Sequence, residues 1–503
     1  MKNTLRFLSS LILAAVATSC HGDLDIIQND RLSASNMWKT TQQVEGSTVN
    51  IYSQMRGNFC QESINVLHWG ELRVGPYMWT YSHLYKVYTA SEVLMNLMTS
   101  SSSSCSWTRL YATIDQANAV LKYAPLESIP MTDQKRSWAI GQAAFARAYC
   151  YFWAARLWGD VPLNLLPIES VDQKETYPER APEAAVYEQI GKDIRTALKH
   201  TDDLGSNKYM ATKDAVLMLQ AEYALWMYSA KKGGEAWLDT AEEALKMLGV
   251  APGDSRLMKN YGDVFDGYGT GNKNSAEVVF ALYNSQSEKL TGGYPVYFTY
   301  ATPGVKTQFQ NNPVPIGATQ WLDYGDEFLE MLRNSRDKNG DTRVKTNLGD
   351  GVYGMDESQN GGVLTWPAKF IGDCSGGKMV CDADLLYYRY ALAVMMMAEL
   401  RYYQGRYKDA LTYLNMIAGR AYGNNKFYTS ASREDVLQAL CTEYFLEFPC
   451  EGVIWWALIR LDKIWDYNPD LKARKGDTNI LLWPISKSAR NKNSKLTQTA
   501  GWY

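Results

Sequence analysis

A chain of 503 residues with 46 % hydrophobic content can bury a large core and is longer than one small domain requires. Its net charge of −3, with both signs spread along the chain and no basic run, removes the electrostatic support that nucleic-acid binding needs. What exceeds ordinary composition is aromatic: 34 Tyr and 16 Trp, side chains that combine a flat apolar face with a polar handle.

The N-terminus reads as a targeting segment, residues 1–19. Lys2 and Arg6 supply the charged start, and Leu11–Ala17 is an apolar stretch too short to span a bilayer. Ala17-Thr18-Ser19-Cys20 resembles a bacterial lipobox, with Ala17 where Leu is usual three places before the cysteine, so Cys20 is the expected lipidation site. Residues 20–35 then form a lipid-anchored polar tether carrying Asp23 and Asp25. No later segment approaches 18 uninterrupted apolar residues, which predicts a chain anchored to a membrane rather than spanning it. Seven cysteines follow Cys20. Cys374 and Cys381, or Cys441 and Cys450, are close enough in sequence to pair, and an odd number leaves at least one free. With four His and no C-x-x-C, the spacing gives no zinc site, and no metal or cofactor is expected.

Helices are predicted from about Asn36 to Met55, over Trp107–Ala124 and Asp133–Trp158, and over residues 183–200, 212–230 and 235–249. The strongest is Asp133–Trp158. Tyr149, Phe152, Trp153 and Arg156 share one face, and Gly159 followed by Pro162 stops the helix. Residues 56–84 interleave Gly57, Gly70 and Gly75-Pro76 with Trp69, Tyr77, Trp79, Tyr81 and Tyr85, which reads as an aromatic loop. Ser100–Ser104 reads as a flexible turn. Residues 212–249 have the small-residue spacing and Gly-Gly turn of a tetratricopeptide-like helix pair. A second pair is clearer: Ala391, Val394, Met395, Ala398 and Tyr402 face Ala410, Leu414 and Ile417 across Gly405. Between the two pairs, residues 250–380 lose helical periodicity, apart from a short strand at Val278–Tyr283, and open a second aromatic loop at Tyr294. The parts are therefore an N-terminal helical half (36–249), a loop-rich ligand-site region (250–380), a C-terminal helical pair (381–470) and an extended tail (471–503).

Taken together these features resemble the SusD/RagB family of Bacteroidetes outer-membrane lipoproteins. The resemblance rests on Arg147-Ala148, Tyr151-Phe152, Arg156-Leu157 and the exit Gly159-Asp160-Val161-Pro162-Leu163. It continues through Val186-Tyr187, Asp193-Ile194, Asp384-Leu385, Arg389, Ala398-Glu399, Gly405 and Arg420-Ala421. It closes with Glu443, Glu447, Glu451-Gly452, Trp455, Arg460, Leu482-Trp483-Pro484-Ile485 and Gly501-Trp502-Tyr503. Tyr444, Ile454 and Ala457 depart from it, standing where the family usually has Arg, Arg and Asp. The resemblance implies a mostly α, single-domain fold over residues 36–503, built on tetratricopeptide-like helix pairs with a large loop-rich insertion. It also implies lipid anchoring in the outer membrane at the cell surface, partnership with a SusC-like TonB-dependent transporter, capture of a glycan, and no catalysis.

A sugar presents hydroxyls at its rim and apolar C–H faces, so its capture needs exposed aromatic platforms and a few planar polar groups on loops held by a rigid scaffold. The candidate ligand-binding residues are therefore Trp69, Arg73, Tyr77 and Trp79 in the first aromatic loop, with Tyr294, Tyr297 and Trp321 in the second region. Two alternatives are peptide capture on the same fold, as in the RagB branch, and glycoside hydrolysis. No carboxylate pair sits in a distinctive motif, and G-x-S-x-G, H-E-x-x-H and Walker sequences are absent. His68 and His83, in the first loop, read as polar loop residues. Asp337–Asp341 imitates a calcium loop but has its glycine at the fourth place and no closing Glu; the family resemblance makes Asp341 and Arg343 a structural pair instead.

Overall fold

A computed structural model of the chain describes residues 37–61, 65–74, 77–79, 81–82, 87–88, 92–265, 273, 275–285, 287–288, 322–349, 365–370, 372 and 382–502. Cys20, His83, Tyr294, Tyr297, Trp321, Cys374 and Cys381 lie outside the described residues. The principal helices, in chain order, are α1 (Thr41–Arg56), α2 (Thr108–Tyr123), α3 (Asp133–Trp158), α4 (Glu183–Lys199), α5 (Lys213–Ser229), α6 (Ala236–Met247), α7 (Asp326–Asn339), α8 (Tyr390–Tyr403), α9 (Tyr407–Tyr422), α10 (Arg433–Glu447) and α11 (Ile454–Arg460). The strands that matter are β1 (Tyr77–Trp79), β2 (Val278–Leu282), β3 (Leu322–Tyr324) and β4 (Leu385–Arg389). β1 pairs with β3 and β2 with β4, both antiparallel. The fold is mostly helical, as expected.

The axis of the fold is α3. The Thr132 hydroxyl accepts the Lys135 N–H at its start, and Gly159 ends it at φ 69°, a backbone conformation suited to glycine. Every residue from Gly141 to Trp158 is buried, so α3 is enclosed on all sides. Alanines at 143, 144, 146, 148, 154 and 155 let neighbouring helices come close, and α1, α2 and α4 pack around it. Charge inside this shell is paired. Arg147 donates to both Asp193 oxygens, at 2.8 and 2.6 Å, and to Asn118 at 2.9 Å, tying α3 to α4 and α2. Arg156 pairs with Glu222 at 2.6 Å, and its guanidinium lies 3.8 Å from the Phe152 ring centroid and 4.2 Å from that of Trp456. The aromatic face of α3 is therefore structural.

The two predicted helix pairs are present as α5/α6 and α8/α9. Residues Tyr390–Tyr402 of α8 are buried on every side rather than along one stripe. Other expectations need correction. Residues 56–74 are not an open loop: Gly57–Gln61 is a π-helical turn, Asn65–Gly70 a short helix, and Phe59, Leu67, Trp69, Leu72 and Val74 are core. Helix α1 starts at Thr41, where Thr40 and Gln43 form a capping box. α7 lies inside the region read as non-helical. Ser103–Cys105 is a 3-10 turn with Ser104 and Cys105 buried, not a flexible turn. The tail forms a 3-10 turn (Thr478–Leu481) and a helix (Lys487–Lys492), and buries Trp483 and Ile485.

A buried ionic lattice joins the C-terminal half. Arg343 reaches Asp341 (2.9 Å), Glu443 (2.6 Å) and Glu447 (3.1 Å). Arg389 reaches Glu277 (2.8 Å), Glu447 (2.7 Å) and Glu451 (2.7 Å). Arg420 bonds Glu277 at 2.7 Å and also Glu447, while Lys369 bonds Glu451 at 2.7 Å. All of these side chains are essentially inaccessible to water. Burial by itself raises the Glu447 pKa, but the guanidinium groups of Arg420, Arg389 and Arg343 outweigh it and hold the carboxyl at about 2.

Glu447→Ala leaves three guanidinium groups short of a counter-charge and should cost about 3–5 kcal/mol in urea denaturation at pH 7. Because the folded-state pKa is depressed, this stabilisation is complete above the ordinary value of 4.5 and is lost as pH falls through about 2. The difference between wild type and variant should therefore narrow in acid; an unchanged denaturation midpoint at pH 7 would show that the lattice does not hold the fold.

Candidate functional site

The first aromatic segment singled out in the sequence forms a two-stranded ladder with residues 322–324. β1 and β3 pair with Tyr77 opposite Tyr324, Met78 opposite Asp323 and Trp79 opposite Leu322. Tyr77 and Trp79 thus lie on the strand paired with β3, the strand that Trp321 immediately precedes in sequence. Tyr294 and Tyr297 lie outside the described residues.

The ladder stands on a rigid base. Leu322 and Tyr324 are buried. The Tyr324 hydroxyl donates to the Asn347 carbonyl at 3.1 Å, and the Asn347 amide donates to the Leu446 carbonyl at 2.9 Å. The Tyr261 hydroxyl sits 2.9 Å from the Asn347 side-chain oxygen and 2.8 Å from the Glu447 carbonyl. The path from ladder to ionic lattice is short and fully hydrogen-bonded.

Two of the predicted ligand residues belong to the scaffold instead. Trp69 is 1 % exposed; its indole N–H donates to the Ser104 carbonyl at 2.9 Å, and its ring meets Trp158 edge-on at 5.5 Å. Arg73 is also 1 % exposed. It donates to the carbonyls of Leu481 (3.0 Å) and Ile480 and to Asn96 (2.9 Å), and its guanidinium lies 4.6 Å from the Trp455 ring centroid. Burial draws its pKa down to about 9. With each guanidinium nitrogen committed to an internal acceptor, Arg73 does not present itself to a ligand; it fastens the tail to the base of the first aromatic segment.

Sequence reasoning missed Glu71. Its buried carboxylate accepts the backbone N–H groups of Cys450 (2.9 Å), Glu451 (2.8 Å) and Gly452 (2.6 Å). Such a concave row of amides is a fitting seat for a carboxylate. Beside it, Gly70 packs so tightly that a Cβ there would fall 2.4 Å from the Gly452 carbonyl oxygen. The only sequence trace of this contact is a Gly-Glu dipeptide at 70–71 and a Glu-Gly at 451–452.

Among the described residues no cluster of metal-ligating side chains forms. Asp341 is taken up by Arg343 and by the Ser335 hydroxyl at 2.7 Å, which removes it from any calcium loop. Cys441 and Cys450 are both buried and form no disulfide with each other, so of the two pairings suggested by the sequence this one does not occur. Burial lowers His68 to about 4, leaving it neutral near pH 7. Asp323, on the ladder itself, is the reverse case. Burial raises its carboxyl to about 7, against the opposing hydrogen bonds from the Thr365 hydroxyl and the Tyr324 N–H.

A mostly helical frame with paired charges inside carries the β1/β3 ladder on its first aromatic segment. The family profile described as "Starch-binding associating with outer membrane" matches residues 27–224, and the SusD family profile matches residues 296–502. The chain belongs to the SusD/RagB family, whose description carries association with the outer membrane. A SusD-like protein of Formosa agariphila is 23 % identical over 97 % of this chain and 97 % of its own. A SusD superfamily protein of Bacteroides fragilis has the same fold, with TM-score 0.76 at 22 % identity over 93 % of this chain and all of that one. A solved "laminarin binding SusD-like protein" superposes with TM-score 0.72 at 17 % identity, covering 92 % of this chain and all of that one. Among the described residues no helix is long and apolar enough to cross a membrane.

Trp69→Ala should cost about 3–5 kcal/mol of stability, as for other buried aromatics, measured by denaturant unfolding; a neutral effect would return Trp69 to the list of ligand contacts. For Asp323 the folded-state pKa is raised, so its favourable contribution is complete below the ordinary value of 3.8 and is lost as pH rises through about 7. Asp323→Asn should therefore leave stability at pH 4 nearly unchanged. At pH 8 it should stabilise the fold by on the order of 1–2 kcal/mol after solvent screening, read as a melting temperature that no longer falls between these pH values.

Proposed function

We propose that the protein captures a glycan at the outer membrane on the loop cluster around the β1/β3 ladder and passes it to a SusC-like TonB-dependent transporter. The observation that supports this reading is the ladder itself, which pairs Tyr77–Trp79 with Leu322–Tyr324, the strand next in sequence to Trp321, on a hydrogen-bonded base. Tyr77, Trp79, Tyr294, Tyr297 and Trp321 remain the proposed ligand contacts, and Cys20 the proposed lipid anchor that holds the protein at the cell surface. Family membership supports a binding role rather than catalysis, and the laminarin-binding neighbour is one fold relative with a glycan ligand.

Two or three ring contacts at about 1 kcal/mol each, with a few hydrogen bonds, leave weak affinity once ordering costs are met. Weak binding suits a protein that must release what it captures. The purified protein should be retarded in native gels containing one polysaccharide from a panel that begins with laminarin and starch. Trp79→Ala or Trp321→Ala should abolish the retardation without lowering the melting temperature. Retardation by none of the panel, together with co-purification of an extended peptide, would replace the glycan reading with peptide capture.

A further inference from the structure

A second concave site lies on described residues alone. It is an open cleft of about 580 Å3 between the C-terminal half of α7 and the length of α10, bounded at one end by the segment joining α9 to α10. This volume is in the range of small-ligand pockets.

One wall is aromatic and fixed from behind. Tyr422 and Phe427 stack with centroids 4.1 Å apart, and Phe427 meets Tyr428 edge-on at 4.9 Å. The hydroxyls of Tyr422 and Tyr428 both donate to Oε1 of Glu443, at 2.9 and 2.6 Å. Glu443 is wholly buried and paired with Arg343. The half-buried rings therefore share the rigidity of the ionic lattice, and little of their freedom remains to be lost on binding.

The lining also includes polar groups and carries a positioned acceptor. Oδ2 of Asp435 accepts the hydroxyls of Ser430 (2.5 Å) and Ser432 (2.7 Å), which keeps the carboxylate ionised and oriented. Oδ1 of the same group has no hydrogen bond to any described residue. Gln438, Asn334 and Lys338 add donors at the rim. A purely apolar occupant would strip water from Asp435 and give nothing back, and an anion would face its charge. A neutral pyranose satisfies both kinds of lining: its C–H face lies on a ring while neighbouring hydroxyls donate to a carboxylate oxygen.

We propose that this cleft is a saccharide site in its own right, holding one neutral pyranose unit with Phe427 as platform and Asp435 Oδ1 as hydroxyl acceptor. It does not depend on the loop reading, but it would cooperate with it. α7 begins two residues after β3 and carries the cleft on its later turns, roughly 10–20 Å further along its axis. One glycan chain of a few units could touch both places, and two weak contacts on one chain raise the effective concentration at each.

Met331 lines the cleft and reports on it. In the full chain labelled with 13C at the methionine methyls, the Met331 resonance is assigned by Met331→Leu. It is then followed against the α and β methyl glycosides of glucose, galactose and mannose, each added to about 50 mM to populate a weak site. The resonance should shift with at least one of the six. Asp435→Asn, which keeps the shape of the side chain, and Phe427→Ala should each weaken that response roughly fivefold or more. No shift with any of the six, or an equal shift in the Asp435→Asn variant, overturns the proposal. A Met331 shift that survives Trp79→Ala separates this site from the loop cluster, so either can fail alone.

Discussion

The arrangement on which the remainder depends is the meeting of Arg343, Arg389 and Arg420 around Glu447. Burying one of these charges alone would cost several kcal/mol, and only a full set of partners offsets that. Each guanidinium forks between carboxylates from different parts of the chain, and forked pairing fixes orientation as well as distance. The segment before β2, the loop after α7, the end of β4, α9, α10 and the turn beyond α10 must all be in place before all of these charges are satisfied. The lattice thus specifies one assembly of the C-terminal half and penalises near alternatives.

Both places where a ligand could sit are hung from this lattice. The β1/β3 ladder reaches it through Tyr324, Asn347 and Tyr261, and the cleft beside α7 reaches it through Glu443. Glu71 and Arg73 perform the same office on the N-terminal side, holding the first aromatic segment against the turn at 450–452 and against the tail. Recognition loops vary while the frame that presents them stays put. Here the frame has an identifiable physical basis in paired buried charge, close glycine contacts and an enclosed helix. A solved protein with only about a fifth of its residues in common shares the fold.

The long helices were legible because their signals are local. Thr132, the alanine-rich interior and Gly159 bound α3 in the sequence as they do in space. α7 carried comparable signals, with Asp326 and Glu327 in its first turn, Arg336 and Lys338 in its last and Gly340 as a left-handed cap, but the low hydrophobicity of its surroundings hid them. Residues 56–74 were misread because a π-helical turn and a six-residue helix leave no period to detect. Trp69 and Arg73 were misread for a different reason: an arginine among tryptophans has the same composition whether it stacks in the core or waits for a ligand. The lattice could not be read at all, since Glu277, Asp341, Arg389 and Glu447 become neighbours only through the fold. The pairing of β1 with β3 was invisible for the same reason.

The tail closes the molecule late in its own synthesis. The N–H of Trp483 donates to the carbonyl of Leu157 at 2.7 Å, satisfying an acceptor that the end of α3 leaves open, and Arg73 finds its acceptors at Ile480 and Leu481. The central helix and the base of the first aromatic segment therefore remain unfinished until residues 480–483 have arrived. A chain that emerges N-terminus first must be held open until then, with apolar helices exposed. A chain that stops short of these residues leaves the Leu157 carbonyl at the end of α3 and the guanidinium of Arg73 without their partners in the tail.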